Sequence, residues 1–189
     1  MPVPRLIARS ATEGLLPVTI GALSLSDATP ARLTAIAPYA GSDKGVAKAL
    51  KATGLAWVAP GASANKGALT LLWAGRNMGF LASDEELPKG LEEALAPHAA
   101  LTDLSDAWVA LGLSGPGVEE ALARLVAIDL SIAAFPQGAT ARTGHGHMMA
   151  LFHRNSPDSI TIFVFRSMVR TAVHELSEAM ERVLARAEA

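Results

Sequence analysis

Cysteine is absent from the 189 residues. Disulfides, thiolate nucleophiles and Cys-ligated zinc or iron–sulfur centres are therefore excluded, and the absence agrees with a reducing compartment. Aromatic residues make up only 5%, so Ala, Leu and Val must do most of the packing. Positive charge is nowhere concentrated. Residues 1–95 carry nine Lys and Arg against eight Asp and Glu, and residues 96–189 carry seven against ten. With a net charge of −2 and no basic run, phosphate neutralisation cannot drive nucleic-acid binding. Long apolar runs are missing too. Residues 15–25 are moderately apolar but follow Glu13 and are interrupted by Thr19 and Ser24. The stretch falls short of the ~20 residues a membrane-spanning helix needs and lacks the layout of a secretory signal. A cytoplasmic protein with no membrane partner is expected.

What is present is a hydrophobic half, 50% of the residues, enough for a sizeable core. Residues 1–30, rich in Pro, Ser, Thr and Gly, read as an irregular arm, with a short strand at 18–25 as its one candidate element. From residue 31 a pattern appears and is then repeated. Residues 32–36 alternate as a half-buried strand, and a helix over 44–52 follows with Val46, Ala49 and Leu50 on one face. A loop at 60–66 leads to two apolar runs, 68–74 and 78–82, separated by Gly75-Arg76-Asn77 as in a hairpin. A helix over 88–96 closes the first half, with Pro88 in its first turn.

The second half has the same order. A strand at 106–113 precedes a helix predicted over 116–127, whose stripe of Val118, Ala121, Leu122, Leu125 and Val126 is expected to be buried. Residues 140–153 and 159–165 read as a strand pair, and Ser167 as the cap of a long helix reaching about residue 186. Val46 and Val118, each just after a glycine at a helix start, lie 72 residues apart. The expected fold is therefore α+β, two strand–helix–strand–strand–helix units with antiparallel sheets. The expected organisation is an arm, 1–30, and a single domain, 31–189, with halves 31–98 and 99–189 sharing one core.

No motif for chemistry survives inspection. In an extended strand His145 and His147 would share a face, and with His153 they suggest a metal site. However, Gly144 and Gly146 indicate a turn and no carboxylate is near in sequence, so no zinc is expected there. The glycines at 112–117 and 144–146 have neither phosphate-loop spacing, and no G-x-S-x-G elbow exists. His174 and Glu175 do not form H-E-x-x-H, since position 178 is Glu178. Glu119 and Glu120 suit a helix N-terminus. Asp103, Ser105, Asp129, Arg142, Thr143 and Arg166 stand at the ends of predicted elements, where capping accounts for polar residues. Arg166 ends an apolar strand and is expected to meet a carboxylate or backbone carbonyl, within the domain or across an interface. No catalytic, cofactor-binding or metal residue is assigned.

Several stretches carry a family resemblance. DLSDAWV from Asp103, LSGPGV from Leu113 and LARLVAIDL from Leu122 resemble the first-domain signature of the glycine-cleavage aminomethyltransferase superfamily. FPQG from Phe135, ART from Ala141 and FRS from Phe165, followed by an apolar helix, resemble the gamma subunits of heterotetrameric sarcosine oxidases. The resemblance covers about residues 31–185 and is strongest over 101–178. It implies a folate-binding-domain fold and a non-catalytic role beside alpha, beta and delta subunits. Those partners are expected to carry FAD, FMN, NAD and zinc, with no cofactor on this chain. The implied complex demethylates sarcosine oxidatively to glycine, forming hydrogen peroxide and a one-carbon unit for tetrahydrofolate. Two alternatives are a stand-alone folate-binding or aminomethyltransferase-like module and the equivalent subunit of an N-methylglutamate dehydrogenase.

Overall fold

A computed structural model describes residues 7–187. Two antiparallel sheets pack face to face, with helices on the outer side of each. The first sheet is built from β3 (Arg32–Pro38), β4 (Ser63–Lys66), β5 (Leu69–Gly75), β6 (Met78–Ser83) and β7 (Ala99–Asp103) in the order β4-β5-β6-β3-β7. The second contains β1 (Val18–Ile20), β2 (Leu23–Asp27), β8 (Trp108–Ser114), β9 (Thr140–His145), β10 (Met148–Ser156) and β11 (Ser159–Phe165), ordered β1-β2-β8-β11-β10-β9. The α+β class and the internal repeat are thus as expected.

The strands alternate between two cores. Leu33, Ala35, Leu72, Ala74, Phe80 and Ala82 of the first sheet face Trp108, Ala110, Leu151 and Phe163 of the second. Small alanines among the larger side chains let the two pleated faces interdigitate. The intervening residues point outward. Ile36, Leu71 and Leu81 pack beneath α1 (Asp43–Lys51) and α2 (Leu91–Leu95). Val109, Leu111, Ile162 and Val164 pack beneath α3 (Val118–Leu122) and α4 (Val169–Ala187). Strands buried on both faces read as continuous apolar runs, which is why 68–74 and 159–165 stood out in sequence. The inter-sheet core contains residues of both halves.

Residues 1–6 of the expected arm lie outside the described residues; from residue 7 on, the arm is more ordered than its composition suggests. Leu23 and Leu25 of β2 are buried at 2% and 0% exposure, and β2 pairs with β8 from Ser24↔Ser114 to Asp27↔Leu111. In the first half β7 follows α2 and pairs with β3. In the second, β2 from the arm takes the corresponding place beside β8. Gly115 permits this route: its φ is 116°, and a Cβ there would overlap the Ala22 carbonyl.

Other boundaries differ from expectation. Residues 60–66 are not all loop, since β4 forms there and pairs with β5. The helix predicted over 116–127 ends at Leu122, because Val126 leaves it to bridge His145 and the Leu125 carbonyl accepts the Gly146 N–H at 2.8 Å. Leu125 is consequently only half-buried, whereas Leu122 is fully buried. Residues 140–153 divide into β9 and β10 at a turn where Gly146 takes φ 53°. Ser167 lies in a 3₁₀ turn, Arg166–Met168, and makes no side-chain cap. Among the described residues no helix is long and apolar enough to cross a membrane.

Candidate functional site

At one end of the sandwich the sheets part to leave a cleft of about 380 Å³. Its apolar lining includes Leu72 and Phe163, one from each sheet; its polar lining includes Asn65, Thr70, His153, Asn155 and Thr161, with Asp84 among its residues. The alternation of β10 creates this polarity. Leu151 faces the shared core, and two and four residues on, His153 and Asn155 continue the same face beyond the last apolar layer.

His153 is 7% exposed, and its Nε2 lies 3.1 Å from Ser63 Oγ on the opposite sheet. Ser63 Oγ in turn donates to the Gly138 carbonyl at 2.8 Å. A hydroxyl has one proton. With that proton on Gly138 O, Ser63 accepts from His153 Nε2–H, and Nδ1 is left as the unprotonated ring nitrogen. Burial pushes His153 down to about 4, against a smaller opposing effect of Asn155. The ring is neutral at neutral pH.

This pair resembles a hydrolytic dyad only in composition. The Ser63 proton is engaged on a carbonyl, the imidazole is too weakly basic to remove it at neutral pH, and no carboxylate bonds the ring. The arrangement holds the sheets together and presents fixed polar groups to the cleft. It can recognise a ligand, but it is not set up to activate a nucleophile.

The other histidines are dispersed. His145 is 0% exposed, with Nε2 3.4 Å from Glu175 Oε2 on α4 but outside hydrogen-bonding geometry, and neither ring nitrogen has a hydrogen-bond partner. Burial pushes its pKa to about 4. His147 is exposed on the far side of the Gly146 turn. The strand face that His145 and His147 would share does not form, because β9 ends between them at the turn that Gly144 and Gly146 indicated. Among the described residues no cluster of three or more His, Asp or Glu is placed to hold a metal.

The remaining polar candidates, apart from Thr143 in the β9–β10 ladder, have side-chain partners. Asp103 accepts from the Ser105 hydroxyl at 2.6 Å and from its backbone N–H at 2.9 Å, and Asp129 accepts from Ser131 N–H at 2.8 Å. Arg142 donates to the Ala74 carbonyl at 3.2 Å and sits over the Trp108 ring. Arg166 meets a backbone carbonyl in its own chain, that of Arg9, at 2.7 Å. His174 is exposed beside Glu178, and Glu120 pairs with Arg186.

One important residue escaped the sequence reading. Arg154, with 0% exposure, donates to the Pro157 carbonyl at 2.5 Å, to Glu119 Oε1 at 3.0 Å and to the Leu130 carbonyl. Its position just before the hairpin turn gives no local sign of burial. The clue was its period, since Ala150, Phe152 and Arg154 share one face of β10.

No family model and no curated protein matches the chain. Solved structures do. A chain of the heterotetrameric sarcosine oxidase from Corynebacterium sp. U-96, in complex with pyrrole 2-carboxylate, superposes with a TM-score of 0.79 and 26% identity, over 93% of this chain and 95% of that one. The chain resembles a heterotetrameric sarcosine oxidase chain throughout. The glycine cleavage system aminomethyltransferase T from Bartonella henselae shares the fold, with a TM-score of 0.57 and 17% identity over 84% of this chain and 46% of that one. The resemblance read in the sequence thus extends to the fold of both proteins.

Proposed function

We propose that this chain is the gamma-type subunit of a heterotetrameric sarcosine oxidase, acting as a non-catalytic support for flavin-bearing partners. The observation that carries this reading is the nearly mutual overlap with the sarcosine oxidase chain. The aminomethyltransferase, by contrast, is matched over less than half of its length. The chemistry of the cleft agrees, since its one serine–histidine contact is built for position and not for proton abstraction. In this reading alpha, beta and delta subunits carry FAD, FMN, NAD and zinc. The assembly oxidises the N-methyl group of sarcosine, releases glycine and hydrogen peroxide, and passes the one-carbon unit to tetrahydrofolate. This chain contributes surface and rigidity.

Affinity purification of the tagged full chain from its native host tests the proposal. Three co-purifying subunits, a flavin absorbance spectrum and sarcosine-dependent peroxide formation are expected. Oxidation of N-methylglutamate in place of sarcosine would reassign the complex to the dehydrogenase alternative. A chain recovered alone that binds tetrahydrofolate would overturn the subunit reading in favour of a stand-alone module.

A further inference from the structure

We propose that the inter-sheet cleft is a binding site for a small, ring-bearing ligand that presents N–H donors, such as an aryl amidine, a primary aryl amide or an amino-substituted heterocycle. The inference does not depend on the subunit reading, because it rests on the cleft alone.

The selectivity follows from where the protons are. Ser63 gives its proton to Gly138 O and takes one from His153 Nε2, which leaves Nδ1 as a lone pair. The Asn155 amide nitrogen is engaged on Thr161 Oγ1 at 2.7 Å, which leaves its Oδ1 as an acceptor. Asp84 adds a carboxylate that no described cation approaches within ion-pairing distance. The hydroxyls of Thr70 and Thr161 and the amides of Asn65 and Gln137 can donate as well as accept, so the bias of the cleft lies in the two free acceptors and the Asp84 carboxylate. Positive charge is missing from the cleft. Arg154 borders the cleft through its backbone, while its guanidinium bonds Pro157 O, Leu130 O and Glu119 on the other face of β10. An anion would meet the Asp84 carboxylate with no cation to offset it. An N–H donor would satisfy groups that otherwise rely on water.

Size and floor supply the rest. A cavity of about 380 Å³ lies at the small end of ligand pockets, suited to a single ring and its substituent. Leu72 and Phe163 offer that ring an apolar surface.

Three probes of one shape separate the possibilities. Benzamidine carries only donors, benzamide carries both donors and an acceptor, and benzoate carries only acceptors. Each is titrated into the full chain near neutral pH while amide resonances are followed by NMR. Benzamidine and benzamide should give saturable shifts centred on Thr70, Asn155 and Thr161, and benzoate should not. Asn155→Leu should weaken both by about tenfold, the value of one lost hydrogen bond. Asp84→Asn, at the exposed rim, should weaken benzamidine and leave benzamide unchanged; it also serves if Asn155→Leu fails to fold. Benzoate binding as tightly as benzamidine, or no saturable shift at the cleft with either donor probe, would overturn the proposal.

Discussion

The buried guanidinium of Arg154 donates to the carboxylate of Glu119 across 35 residues of sequence. The same side chain also bonds the carbonyls of Leu130 and Pro157. It ties β10, the start of α3 and the connection after α3 to one point. Removing it leaves two carbonyls and a carboxylate without their donor. Arg154→Ala should cost about 3–5 kcal/mol, the usual cost of breaking a buried charged network. Arg154→Lys should recover only part, since a single ammonium cannot reach three diverging acceptors. Glu119→Gln retains an acceptor and should cost about 1 kcal/mol. Urea unfolding of the three variants gives the ranking; an Arg154→Lys variant as stable as wild type would show that the fork geometry is irrelevant.

His145 and His153 make stability depend on pH. Both are held at about 4 by burial, below their ordinary 6.5. Between those values the unfolded chain takes up protons that the native chain refuses, so native stability falls as pH falls. It should be complete above pH 6.5, decline down to about pH 4 and then level off with respect to these two groups. Each shift corresponds to something on the order of 3 kcal/mol. Asp103, held below its usual 3.8 by the hydroxyl and backbone N–H of Ser105, acts only under that value and does not blur the window. Chemical denaturation at several pH values should show the decline, and His153→Asn should reduce its slope by about half. A flat profile in wild type would show that neither ring is as dry in solution as its burial indicates.

Leu122 and Leu125 separate buried from half-buried positions on one short helix and its extension. Leu122→Ala should cost about 2–5 kcal/mol through lost transfer energy and the cavity left behind, and Leu125→Ala clearly less. Glu178→Ala, on the solvent side of α4, should stay within about ±0.5 kcal/mol. Because the inter-sheet core mixes Leu33, Phe80, Trp108 and Phe163 from both halves, every variant should melt in one transition. Two transitions with only one moved by Leu122→Ala would show that each sheet folds with its own helices.

Arg166 fastens the arm through the Arg9 carbonyl. Arg166→Ala should leave the melting temperature nearly unchanged while speeding hydrogen exchange and proteolysis in residues 7–17. Unaltered exchange there would show that the bonds of Ser10 and Thr12 to Asp27 hold the arm unaided.

Much of the fold was legible because its signals are local. The stripe from Val169 to Met180 and the doubly buried strands fixed element types by period alone. What was not legible depends on partners distant in sequence. β2 looks like part of an irregular arm until Gly115 and β8 are placed beside it. The helix after Gly117 stops early because Val126 finds a better partner in His145. The cleft was invisible because its polar groups come from β4, β5, β10 and β11, and none has a spacing that marks it. Arg154 was missed because burial of a charge can be read only from the acceptors brought to it.

The place of β2 beside β8 also has a consequence for the nascent chain. Ser26 and Gly112 lie 86 residues apart, so Leu23 and Leu25 emerge from the ribosome long before the strand that will cover them. The β5–β6 hairpin can close meanwhile from neighbouring residues. The early segment can pair locally with β1, but its other edge stays open until β8 has been synthesised, and during that interval this apolar edge is exposed to chaperone capture or to pairing with the wrong strand.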